Sequence, residues 1–110
     1  MQRLKRRADF LAAREGARVP ANAFLVQARN RHDAAAPRFG LTVTKKAGSA
    51  VERNRIRRRL REAARNVMPV AAKAGFDYVL VARRQALAAP FSTLVTDLER
   101  ALKRIHAKTG

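Results

Sequence analysis

Seven arginines fall between positions 53 and 65: Arg53, Arg55, Arg57, Arg58, Arg59, Arg61 and Arg65. A guanidinium is a planar, permanently charged fork that fits phosphate oxygens and can stack on a base. Such a density therefore points to polyanion binding rather than to proton transfer or nucleophilic attack. Only Glu52 and Glu62 offset these charges locally, and like charges one turn apart, such as Arg57 and Arg61, repel unless an anion lies between them. Groups suited to catalysis are scarce. A two-histidine ribonuclease needs both imidazoles converging on one phosphate beside a cation, and nothing in the spacing of His32 and His106 supports that. The absence of cysteine removes thiolate metal sites and disulfides and agrees with a cytoplasmic protein. The loop 45–49 lacks the glycine spacing of a nucleotide-binding P-loop. No catalytic residue, protein-held metal or ATP site is expected.

Over 110 residues, 25 Lys and Arg face 8 Asp and Glu, a net charge of +17. That charge repels itself until a polyanion releases its condensed counterions to the basic side chains. An anionic membrane surface is the main rival, but no 18-residue apolar stretch occurs; in the most strand-like segment the apolar run is Val79-Leu80-Val81-Ala82. The basic start, Arg3 to Arg7, leads into no apolar h-region and does not read as a secretory signal. The length suits a single domain, 1–110, with 1–6 able to be flexible.

The elements that position the arginines follow from periodicity. Residues 8–15 suit two helical turns ended by Gly16 as a C-terminal cap. A strand over 23–29 places Phe24, Val26 and Ala28 on one face and Leu25, Gln27 and Arg29 on the other. Residues 30–37 read as a hairpin loop leading to a strand over 38–44, with Phe39, Leu41 and Val43 on one side and Gly40, Thr42 and Thr44 on the other. Ser49 and Glu52 form a capping box for a helix over 50–67, ending before Pro69. At about 100° per residue, Ile56, Leu60, Ala63, Ala64 and Val67 share one arc. Asn54, Arg57, Arg58, Arg61 and Arg65 lie opposite, Arg55 and Arg59 form a flank, and Arg53 sits near the apolar edge. Lys45 and Lys46 stand by this helix's N-terminus, itself partly positive. A near-continuous apolar strand over 76–83 predicts a central position, and Leu94, Leu98, Ala101, Leu102 and Ile105 define a final amphipathic helix. Phe24, Phe39, Phe76, Phe91 and Tyr78 fall on apolar periodicities and are expected in the core. The order helix–strand–strand–helix–strand–helix predicts an α+β sandwich with helices covering a sheet face.

Residues 38–65, RFGLTVTKKAGSAVERNRIRRRLREAAR, closely resemble the signature of the bacterial ribonuclease P protein family. The core of the match is G-L-T-V-T-K-K at 40–46 and A-V-x-R-N-R-I-R-R at 50–58, and the order of elements agrees along nearly the whole chain. The resemblance implies a left-handed βαβ crossover through the Arg-rich helix, against the usual right-handed rule. It also implies a non-catalytic subunit of an endoribonuclease that removes the 5′ leader of precursor tRNA. The active site and its Mg²⁺ ions belong to the RNA subunit, and no metal is held by protein side chains alone. Arg53, Asn54, Arg55, Arg57, Arg58 and Arg61, with Arg65 and Lys46, match the surface that meets the catalytic RNA. Phe10, Leu25, Gln27, Thr42, Thr44 and Lys45 occupy positions of a cleft holding the single-stranded leader. Family members often carry a second aromatic and a Tyr where this chain has Arg14 and Gln27. Two other readings remain open: a structural RNA-binding protein using the same helix as phosphate glue, and a DNA-binding protein, disfavoured because no dimerisation heptad follows the helix.

Overall fold

The computed structural model describes residues 2–109. Its elements are β1 (Gln2–Arg3), α1 (Arg7–Arg14), β2 (Ala17–Pro20), β3 (Phe24–Asn30), β4 (Arg38–Thr42), α2 (Ala50–Ala71), β5 (Phe76–Ala82) and α3 (Phe91–Thr109), with 3-10 turns at Lys45–Ala47 and Arg84–Leu87. The strands form one sheet in the order β1-β4-β5-β3-β2. β5 is central, as its apolar run predicts, antiparallel to β3 and parallel to β4. The 30–37 segment is consequently not a hairpin loop: it crosses over the place that β5 fills between its two strands. Arg31 braces it by donating to the carbonyls of Ala35 and Ala36.

Strand parity holds as expected. Phe24, Val26, Ala28, Phe39, Tyr78 and Leu80 face α2 and α3 in the main core, which also takes Ile56, Leu60 and the apolar stripe of α3. Val79 and Val81 face the opposite side, where α1 packs through Ala13 and Phe10 together with Leu4. Helices therefore cover both faces, unequally. Phe91 departs from expectation: at 37% exposed it sits at the very start of α3, ahead of the stripe that begins at Leu94. α2 also outruns Pro69. The ring costs one hydrogen bond in the last turn, but Pro69 is exposed and the helix closes beyond it through Ala72 N–H to Met68 O at 2.9 Å.

Two short edge strands were not anticipated. β1 runs parallel to β4, and the Leu4 N–H donates to Phe39 O at 2.8 Å, so part of the 1–6 segment joins the sheet; Met1 lies outside the described residues. β2 pairs with β3, matching Arg18 to Gln27. Gly16 follows α1 without the left-handed geometry of a capping glycine, since among the described glycines only Gly48 and Gly75 have positive φ. Its role is close approach, because a Cβ there would stand 1.9 Å from the carbonyl oxygen of Ala28.

Across the α1 face, the register brings Arg38, Asp77 and Arg29 side by side. Asp77 is fully buried. It accepts from Arg38 through two hydrogen bonds of 2.8 Å and from Arg31. Asp9 of α1 reaches Arg29 and Arg38, each at 3.5 Å. Burial pushes the Asp77 carboxyl up, but the Arg38 and Arg31 hydrogen bonds and charges outweigh it, leaving it below the usual carboxylate range. Its stabilising contribution is thus complete above the unfolded value near 3.9 and is lost as pH falls through the lower folded value. Urea unfolding should show stability declining below about pH 4. Asp77→Asn should remove that part of the slope and cost about 3–5 kcal/mol at neutral pH, as expected for breaking a buried ion pair. For α2, Leu60→Ala should cost roughly 2–5 kcal/mol at its fully buried site, whereas Val70→Ala, at a residue 90% exposed, should stay within about 0.5 kcal/mol.

Candidate nucleic-acid interface

The capping box fixes where the Arg-rich helix begins. Ser49 Oγ accepts from the Glu52 N–H at 3.2 Å and Glu52 Oε1 accepts from the Ser49 N–H at 2.9 Å. Arg84 also grips Glu52, with 2.8 and 3.1 Å contacts, and donates to Ala47 O. The Arg84 hydrogen bonds, followed by the capping contact, hold the Glu52 carboxyl at about 2. The negative group nearest the helix start is therefore already committed to Arg84 and to the helix backbone.

The seven arginines separate by partner. Arg59 leaves the phosphate-binding set: it donates to the carbonyls of Ala86 at 2.7 Å and Leu87 at 2.9 Å, and to Ala89 O, tying α2 to the chain that leads into α3. Arg53 is half-buried, and its Nε is enclosed without a hydrogen-bond partner. Arg55 is exposed on the flank. The outward group converges as its helical spacing predicts. Asn54, Arg57, Arg58, Arg61 and Arg65 line a groove of about 350 Å³. Asn54 Oδ1 accepts from Arg57 at 2.9 Å, and Arg65 pairs with Glu62 at 2.7 Å. Arg3 completes the groove. Sequence reasoning missed it, because its position depends on β1 pairing beside β4, and a two-residue strand leaves no periodic signal.

A second concavity lies on the α1 face of the sheet and encloses about 680 Å³. Thr42, Val81 and Leu25 form one row of its floor, and Val79 and Gln27 belong to the next. Phe10 is the wall. Its ring fits only because residue 40 is glycine: a Cβ there would stand 2.7 Å from the ring edge. Thr44 contributes at the far end, while Lys5, Arg7, Arg14 and Arg18 supply basic side chains. Of the residues expected in this cleft, Phe10, Leu25, Gln27, Thr42 and Thr44 come together. Lys45 and Lys46 are exposed on the 3-10 turn just beyond and line neither concavity. Lys5, Arg7, Arg14 and Arg18 were absent from that expected set.

Neither histidine approaches these surfaces. His32 lies in the 31–37 loop with φ 58°. His106 Nε2 meets the Tyr78 hydroxyl at 2.8 Å, and its ring packs edge-on to Phe76. Burial, helped by the Lys73 charge, lowers its pKa. Among the described residues no cluster of three or more His, Asp or Glu could hold a metal ion, and no helix is long and apolar enough to cross a membrane.

The arrangement is thus a guanidinium groove plus a mixed apolar and basic cleft, a pairing suited to phosphates and unstacked bases. Comparison with known proteins identifies the family. The family described as Ribonuclease P matches residues 1–106. A ribonuclease P protein component from Ruegeria pomeroyi is 49% identical over 107 residues, covering 94% of this chain and 86% of that relative. Another from Bartonella quintana is 46% identical, covering 92% and 80%. Among solved structures, the RNase P protein of Staphylococcus aureus superposes with a TM-score of 0.78 at 31% identity, covering 94% of each chain. That of Thermotoga maritima gives 0.77 at 31%, covering 96% and 98%. Sequence and fold agree: this chain belongs to the ribonuclease P protein family.

Proposed function

We propose that this chain is the protein subunit of a cytoplasmic ribonuclease P ribonucleoprotein, binding the catalytic RNA through the α2 groove and the 5′ leader of precursor tRNA through the α1 cleft. The observation that carries the reading is the convergence of Arg3, Asn54, Arg57, Arg58, Arg61 and Arg65 on one groove in a chain of this family. Five guanidinium groups, of which Arg65 alone in the groove pairs with a carboxylate, Glu62, are a site for phosphates. The α1 cleft offers an aromatic wall and a half-apolar floor, which suits an extended single strand better than a stacked duplex.

In this mechanism the protein supplies affinity and orientation, and the RNA supplies the reacting centre. Mg²⁺ is assigned to the RNA, because a surface crowded with guanidinium groups repels a divalent cation, whereas phosphate oxygens coordinate it. Holding leader and catalytic RNA together turns an encounter into a positioned complex. The cationic groove also lowers the mutual repulsion of the two RNA strands near the scissile bond.

Reconstitution with a bacterial ribonuclease P RNA at low Mg²⁺, following leader release from precursor tRNA, tests the proposal. Protein-dependent cleavage at the mature 5′ end is expected. Tight RNA binding without stimulation would overturn it in favour of a structural RNA-binding protein, and cleavage by the protein alone would overturn its non-catalytic role. For about 6–10 phosphate contacts, RNA affinity should fall on the order of 10³–10⁵ between roughly 50 and 200 mM salt. The combined Arg57→Ala, Arg58→Ala and Arg61→Ala variant should unfold at the wild-type urea midpoint while the slope of log K against log salt shrinks by about 2–3.

A further inference from the structure

The floor of the α1 cleft continues past the cleft. In the sheet register Thr42 of β4 pairs with Val81 of β5, Val81 with Leu25 of β3, and Leu25 with Pro20 of β2. The row crosses three strand spacings, about 14 Å, and ends on the edge strand. Pro20 no longer lines the cleft; it borders a different groove, of about 320 Å³, between β2 and α3. Arg18, on the same strand, still lines the cleft. A single edge strand therefore divides the two concavities.

The far wall of this groove is α3. Arg100 and Arg104 stand one turn apart on it, both exposed, and neither has a carboxylate partner among the described residues. Like charges at this spacing destabilise a helix unless an anion lies between them. A cation gains from the helix dipole in the last turn, but Arg100 lies at the middle of α3 (Phe91–Thr109), so that effect does not account for the pair. Asp97 lines the groove one turn before Arg100, and Asn22 closes it from the end of β2. A bare phosphate would be repelled by Asp97. A ribonucleotide strand suits the whole set, since its phosphates take the guanidinium groups and its 2′-hydroxyl can donate to a carboxylate.

The order of the surfaces fixes which part of an RNA arrives here. The catalytic RNA is assigned above to the α2 groove, which Arg3 completes at the β1 edge. The scissile end of a leader thus lies toward β1 and β4, and its 5′ part is the last to cross the sheet, at β2. We propose that the α3–β2 groove is a third RNA surface, which takes leader nucleotides 5′ of those in the cleft, with Arg100 and Arg104 on their phosphates and Asp97 on a ribose 2′-hydroxyl. This rests on the cleft binding the leader, as proposed above.

The test uses the reconstituted holoenzyme with precursor tRNAs whose leaders are lengthened one nucleotide at a time from none. For the wild type, kcat/KM should rise as the cleft fills and rise again, by roughly twofold to thirtyfold for two exposed ionic contacts, once the strand reaches the groove. The combined Arg100→Ala and Arg104→Ala variant should unfold at the wild-type urea midpoint, keep the first rise and lose the second. Its salt slope should shrink by about 1.4 for long leaders only, at about 0.7 per phosphate of a single strand. Replacing the added nucleotides by 2′-deoxynucleotides should weaken the second rise in the wild type and change nothing in Asp97→Ala. A wild type without a second rise overturns the proposal, as does a second rise that survives in the double variant. A double variant that lowers kcat/KM for long and short leaders alike also overturns it, by placing the two arginines against another part of the complex. If kcat/KM is the same with and without a leader, the cleft reading itself fails, a result distinct from the others.

Discussion

An α-helix of eight residues is about 12 Å long, while five strands span about 19 Å from edge to edge. α1 has that length and is the helix that packs on its face of the sheet, so it cannot close that face. The other face is covered by α2 and α3, of 22 and 19 residues, and becomes the core. The cleft is thus what remains when one short helix lies on a wide sheet, and its shape depends on where α1 is pinned. Three contacts pin it. Phe10 lies on the bare backbone of Gly40, Gly16 lets the chain after the helix meet the Ala28 carbonyl, and Asp9 reaches Arg29 and Arg38. Those two arginines are in turn set by the buried Asp77. A carboxylate that never faces the cleft therefore helps to fix its wall.

The same interaction bears on how the large positive charge is used. Arg31 and Arg38 are held by Asp77, Arg84 by Glu52, and Arg59 by three backbone carbonyls. These four act as structural cross-links, chosen for a fork that can satisfy several acceptors at once. Of the guanidinium groups with no carboxylate partner among the described residues, Arg3, Arg57, Arg58 and Arg61 gather in the α2 groove and Arg7, Arg14 and Arg18 around the cleft. The acidic residues are few, and several serve to immobilise arginines at particular joints. That leaves the polyanion-facing surfaces largely free of competing negative charge.

Much of this was legible in the sequence, and what was not has physical reasons. Strand parity in β3 and β4 and the two faces of α2 follow from periods of 2 and 3.6, which need no knowledge of neighbours. The resemblance carried Phe10 and the strand residues to one cleft, and the structure brings Phe10, Leu25, Gln27, Thr42 and Thr44 together there. Strand order was not legible: a seven-residue link such as 31–37 reaches an adjacent strand or the next one over with equal ease, since the second lies only about 10 Å away. β1 and β2 escaped because their pairing is made by backbone groups; of the four residues in β2, only Val19 is buried. The helix projection placed Arg59 among the flanking charges but could not show that carbonyls near residue 87 would claim it. Lys45 and Lys46 matched the family motif by position, yet a 3-10 turn carries both outside the concavities, so any RNA contact they make lies beyond the cleft's rim.

The N-terminal residues then connect the two surfaces. The α2 groove and the α1 cleft lie on opposite faces of the sheet and can meet only around an edge. At the β1 edge Arg3 stands in the groove and Lys5 at the cleft, on either side of buried Leu4. Their Cα atoms are at most about 7 Å apart, so the chain carries positive charge from one surface to the other within two residues. This makes the edge a positive bridge between the surfaces proposed for catalytic RNA and for leader. Pairing β1 to β4 is what places that bridge, so a two-residue strand with no core residue of its own has a structural reason to exist.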